Sequence, residues 1–110
     1  MTGNEYQHYA LRTANAELPG AERLKECALG IVGELGEIVD HVKKVAYHGH
    51  AIDDERDGVA EELGDLLWYI ADTASVFGLS MNGIMLRNIR KLERRYPDGF
   101  QAERSRNREE

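Results

Sequence analysis

A chain of 110 residues supplies one domain and a modest core. Its 42% hydrophobic and 31% charged content excludes a disordered chain, and a net charge of −6 argues against non-specific nucleic-acid binding as the main role. The single cysteine, Cys27, excludes an intrachain disulfide. No apolar run approaches the roughly 18 residues of a membrane span and no signal-peptide pattern is present, so the expectation is a cytoplasmic protein without membrane contact.

Thr2-Gly3-Asn4-Glu5 has the spacing of a capping box, which predicts a first helix from there to about Asn15. Leu18-Pro19-Gly20 ends it, because proline lacks an amide donor and glycine favours turns. Tyr6, His8 and Tyr9 are expected to pack on the next helix, with contact to a planar ligand such as a base as the alternative.

A second helix is predicted from about Glu22 to about Ala46. Leu24, Cys27, Ala28, Ile31, Leu35, Ile38, Val39, Val42 and Val45 recur at helical spacing as its apolar stripe. Cys27 lies within that stripe and reads as a buried thiol. His48-Gly49-His50-Ala51-Ile52-Asp53 forms the turn, with Asp53 or Asp54 as the next N-cap.

The third helix is predicted from about Glu55 to Phe77, with Val59, Leu63, Leu66, Leu67, Ile70, Ala74 and Phe77 as its stripe. Trp68 falls on the opposite side. With Ala60 and Ala71 it implies a second buried surface, and hence at least a homodimer with this helix near the interface. Gly30, Gly33, Gly36, Gly58 and Gly64 inside helices each cost about 1 kcal/mol against alanine. Close helix approach, or room beside the acids, would offset that.

Gly78 reads as a helix C′ residue, Ser80 as an N-cap and Met81 to Arg95 as a fourth helix. That helix is strongly basic, with Arg87, Arg90, Lys91, Arg94 and Arg95 around the apolar Ile84, Met85, Ile89 and Leu92. Tyr96-Pro97-Asp98-Gly99 signals a turn, and 101–110 reads as a charged, disordered tail.

One acidic phrase occurs twice, as Glu34-Leu35-Gly36-Glu37 and Glu62-Leu63-Gly64-Asp65. Positions three apart share a helix face, so each copy offers a pair of carboxylates on one flank of its stripe. His41, Lys44 and His48 extend the first flank. In an antiparallel pair turning near Gly49, Glu37 faces Glu62 and Glu34 faces Asp65, because both pairs of residue numbers total 99. Four such carboxylates repel one another without cations, and all-oxygen ligation suits Mg²⁺, with Mn²⁺ as the alternative. The basic fourth helix then supplies either a solvated face or an anion-binding wall for a substrate carrying several negative charges.

No Walker A loop, Gly-x-Ser-x-Gly elbow or Cys-x-x-Cys pair is present. His48 and His50 lack further close ligands for zinc, so loop packing or substrate contact is the better reading. Glu5-Tyr6-Gln7-His8 is a lone Glu-x-x-His, short of a di-iron set.

The paired motif, its spacer of 24 residues, Lys43-Lys44, His48-Gly49-His50, Glu61 through Tyr69, and Asn88 through Pro97 together resemble the MazG-like all-α nucleoside triphosphate pyrophosphohydrolases. The resemblance covers residues 1–100 as one domain and implies a four-helix MazG-like bundle assembling as a homodimer or homotetramer. It implies Mg²⁺-dependent cleavage of a nucleoside triphosphate between the α and β phosphates, as nucleotide-pool house-cleaning. By position, Glu34, Glu37, Glu62 and Asp65 become the metal ligands, with Glu37 or Glu34 as general base. Lys44, Tyr69, Asn88, Lys91 and Arg95 become substrate contacts. Gly33 stands where longer members often carry a further acid. Two rival functions are a non-catalytic nucleotide- or metal-binding regulatory oligomer and a phosphoribosyl-ATP pyrophosphohydrolase.

Overall fold

The computed structural model describes residues 1–100, so the expected tail lies outside the described residues. In order it contains α1 (Gly3–Ala10), one 3-10 turn (Leu11–Thr13), α2 (Gly20–Tyr47), α3 (Ile52–Val76) and α4 (Met81–Arg95). Among the described residues the regular elements are all helices, with a single isolated bridge between Pro97 and Gly99. The all-α class expected from the sequence holds. Among the described residues, no helix is long and apolar enough to cross a membrane.

The ends of these helices follow local chemistry. Thr2 Oγ1 accepts from the Glu5 amide at 3.1 Å and Glu5 Oε1 accepts from the Thr2 amide at 2.9 Å, completing the predicted capping box. The α-helical geometry ends five residues short of Asn15. Thr13 Oγ1 and Trp68 Nε1 both donate to the Ala10 carbonyl, at 2.9 Å each, where the chain passes into the 3-10 turn. α3 starts at Ile52, three residues before the prediction, and neither Asp53 nor Asp54 is its N-cap. Ala51 holds that position, and Asp54 Oδ2 reaches back to accept from its amide at 3.3 Å. Gly78, with φ +70°, closes α3: its amide donates to Ser75 O and that of Leu79 to Ala74 O, a Schellman motif.

α2 and α3 form a long antiparallel hairpin, and α1 lies across its open end against α3 and the start of α4. The hairpin keeps the register read from the two acidic phrases. Cys27 meets Asp72, the Tyr69 ring meets Gly30, His41 meets Gly58 and Lys44 meets Glu55, and each of these pairs also totals 99.

Burial follows the sequence only in part. Cys27 is buried as expected, 2% exposed. The side of α2 turned to α3 carries Cys27, Gly30, Ile31, Glu34, Ile38, His41 and Val45, so it mixes stripe and acidic flank. The rest of the stripe stays outside: Leu35, Val39 and Val42 on α2 and Leu63 and Leu67 on α3 are exposed, beside Leu29 and Val32. The second surface assigned to Trp68 exists, but α1 of the same chain covers it. Trp68 donates to Ala10 O and Thr13 Oγ1 and packs beside Ala10, Ala71, Ala74 and Met81. It therefore gives no reason to invoke a partner. Tyr6 packs in this core against α3 and α4 rather than on α2, the next helix in the chain, and His8 and Tyr9 remain exposed.

α1 and α4 are joined end to end. The Asn4 amide donates to Asn82 Oδ1 at 3.0 Å and the Asn82 amide to Asn4 Oδ1 at 2.9 Å. Buried Gln7 donates to Leu79 O and accepts from the Met81 amide, both at 3.0 Å. Beyond Met81, α4 leaves Met85, Leu86, Ile89 and Leu92 exposed. The Cα radius of gyration is 17.0 Å, against about 13 Å for a compact domain near this size.

Candidate functional site

Midway along the hairpin, Glu34, Glu62 and Asp65 each offer a carboxylate oxygen, and these oxygens lie within 4.8 Å of one another. Glu34 and Glu62 are half-buried and Asp65 is exposed. One oxygen of each glutamate, Oε2, is buried without a hydrogen-bond partner. Leaving such an acceptor unsatisfied is expensive, and a cation is the ligand that satisfies several at once.

Glu37 lies at the edge of the group, where the neighbouring Glu62 carboxyl, through hydrogen bonding and its charge, holds the Glu37 carboxyl above the ordinary carboxylate range. Glu62 is also raised. Its bond with Glu37 pulls it down, but the bond to Glu34, desolvation and the charges of Glu34 and Asp65 outweigh that pull. Like charges gathered this closely favour the protonated form of a carboxyl, and a bound cation would relieve the same repulsion. A donor set made wholly of carboxylate oxygens fits a hard divalent ion and does not favour a soft one.

Beside the acids is a hollow of about 310 Å³ lined by Glu34, Asp65, Trp68 and Tyr69. The Tyr69 ring occupies the space a side chain at Gly30 would need, and packs edge-on to Trp68 with centroids 5.2 Å apart. Asp65, Trp68 and Tyr69 are three and four residues apart, so one face of α3 carries an acid and two rings. Trp68 was not foreseen as a lining residue. Its spacing from Asp65 was the available signal.

The structure thus gathers Glu34, Glu37, Glu62, Asp65 and Tyr69. The remaining predicted contacts sit elsewhere in the chain. Lys44 Nζ points to Glu55 Oε1 at 3.9 Å and lines a hollow with Asp40, Lys43, His48 and His50. Asn88 and Lys91 line a separate hollow with Ile84, Arg87 and Arg94, which shares no residue with the acidic one. Arg95 is half-buried at the last position of α4. Glu55 escaped notice in the sequence although it is buried, and both of its oxygens bond histidines. His50 reaches from the loop to Glu55 on α3.

A sequence model of the MazG nucleotide pyrophosphohydrolase domain matches residues 22–100, which spans both acidic helices and all of α4. The chain belongs to that family. Its members are nucleotide pyrophosphohydrolases, which places this protein with the hydrolases at family level. It is also 36% identical over 80 residues to the Gene 37 protein of Mycobacterium phage L5, covering 71% of this chain and 70% of that relative. No solved structure matches. Membership of the MazG family agrees with the all-α architecture and with an acidic cluster able to hold a metal.

Proposed function

We propose that this MazG-family chain is an Mg²⁺-dependent pyrophosphohydrolase that splits a nucleoside triphosphate into monophosphate and pyrophosphate, serving to clean the nucleotide pool. The observation that carries this is the convergence of carboxylates from both motif copies around two buried, unpartnered oxygens. Glu34, Glu62 and Asp65 hold the ion, with Glu37 at their edge. A divalent cation held there offsets phosphate charge and lowers the pKa of bound water. Glu37, exposed and with its pKa raised, is suited to take the proton from attacking water; Glu34 is the alternative base. Tyr69 and Trp68 offer ring faces to the sugar or base across the hollow. Lys44, Lys91 and Arg95 supply positive charge to the phosphates, and Asn88 offers them its amide N–H.

Self-association belongs to this reading. The exposed apolar residues of α2 and α3, and those of α4, form surfaces that a lone small domain would not leave in water. A second copy would cover them and bring further side chains to the acids.

Release of pyrophosphate from a panel of ordinary and modified nucleoside triphosphates with Mg²⁺ tests the proposal. Glu37→Gln and Glu62→Gln should abolish release with helix content unchanged. Full turnover in either variant would sink it.

A further inference from the structure

The carboxylates of α2 and α3 repel one another across the hairpin at mid-length, a cost that contacts on either side offset. Towards the open end, Arg23 pairs with Asp72, and Cys27 Sγ–H donates to Asp72 Oδ2 at 3.4 Å. Towards the loop the tie is a different carboxylate. Glu55 is 9% exposed, and His41 Nδ1 and His50 Nδ1 lie 2.8 and 3.0 Å from its two oxygens.

These contacts also hold the Glu55 pKa below its usual range, His41 first and His50 second. An ionised carboxylate only accepts, so both imidazoles carry their proton on Nδ1 and donate. Lys44 Nζ, 3.9 Å away, adds the remaining positive charge from α2, while Arg56 on α3 pairs with Asp53. The His41 ring occupies the space over Gly58 that any larger side chain there would need. Gly49, at φ +73°, turns the loop so that the His50 amide reaches Lys44 O at 3.0 Å. One buried carboxylate therefore joins α2, the loop and α3. His41 is one turn from Glu37, and Glu55 is two turns from Glu62 on the same face.

We propose that Glu55 is a positioning residue, holding α2 and α3 through His41 and His50 at the spacing where Glu34, Glu37, Glu62 and Asp65 meet. This rests on the reading of that cluster as a metal site. Glu55 touches neither ion nor substrate; it acts on ligand geometry, as partners outside a coordination sphere do.

Mn²⁺ titration of the full chain, by calorimetry or electron paramagnetic resonance, tests this without reference to turnover. Glu55→Ala and His50→Ala should weaken Mn²⁺ binding by about tenfold, the lower end for partners outside a coordination sphere, with helix content unchanged. His50→Gln should regain most of the loss, because its carboxamide N–H can donate to the same Glu55 oxygen. If Glu55→Ala does not fold, the two His50 variants decide, since His50 lies half-exposed in the loop. Wild-type affinity in folded His50→Ala or Glu55→Ala overturns the proposal, and so does His50→Gln binding no better than His50→Ala. A wild-type chain that binds Mn²⁺ but releases no pyrophosphate removes the enzymatic reading alone; one that binds no Mn²⁺ removes both.

Discussion

Tyr69 rests its ring on Gly30, one turn from both Glu34 and Asp65, where a methyl group on Gly30 would have to occupy the same space. Gly30→Ala gains about 1 kcal/mol of helix propensity. It must also displace a half-buried ring, and overpacking of this kind costs about 1–3 kcal/mol. Thermal denaturation should show a melting temperature unchanged or lower by a few degrees. The Michaelis constant should rise, because the displaced ring leaves the acidic hollow.

Gly36 and Gly64 behave differently, since nothing lies within 4 Å of a methyl group added at either. Within one chain, Gly36→Ala and Gly64→Ala should each stabilise by about 1 kcal/mol. Both glycines sit among exposed Leu35, Val39, Leu63 and Leu67, the surface proposed for a second copy. The expected result is therefore weaker self-association on dilution, measured by sedimentation velocity. A higher melting temperature with unaltered assembly would place the partner copy on another face.

The carboxylates set two opposed pH responses. Glu37 and Glu62 titrate above their ordinary range in the fold. Their stabilising share is thus full below the unfolded value, about 4.3, and is lost as pH rises through the folded values. Glu55 titrates below its range, so its share is present above about 4.3 and is lost as pH falls through the lower folded value. In chelator at pH 7, Glu62→Gln should melt above the wild type, and the difference should shrink towards pH 4. Mg²⁺ should raise the wild-type melting temperature and leave Glu62→Gln unmoved. Calorimetric scans with and without the ion check both.

Register was legible because it needs only arithmetic. Two acidic phrases on antiparallel helices fix which residues face, and Cys27 with Asp72 or Lys44 with Glu55 follow from the same total. Capping was legible where side chains carry it, at Thr2 and Ser80, and failed at Ala51, whose methyl group cannot accept. The destination of Trp68 was not legible. A helical wheel marks an apolar face without saying whether a neighbouring helix or another molecule covers it. Glu55 was missed for a related reason: an acid in the first turn of a helix usually serves the dipole, and the histidines that bury this one arrive from separate segments.

Gln7 offers the sharpest test of how α1 is held. Its carboxamide donates to Leu79 O, also approaches Ala71 O at 3.4 Å, and accepts from the first amide of α4. Gln7→Ala removes these contacts and leaves buried backbone groups unpaired, a loss of about 1–3 kcal/mol. Trp68, the sole tryptophan, depends on the same docking because its indole N–H donates to Ala10 O and Thr13 Oγ1. Loosening α1 wets the indole, so Gln7→Ala should shift its emission to the red as the melting temperature falls. Trp68 also lines the acidic hollow, so the same variant should raise the Michaelis constant while Mn²⁺ affinity, set by the hairpin carboxylates, holds steady. A parallel loss of Mn²⁺ binding would mean that α1 supports the acids as well as the ring.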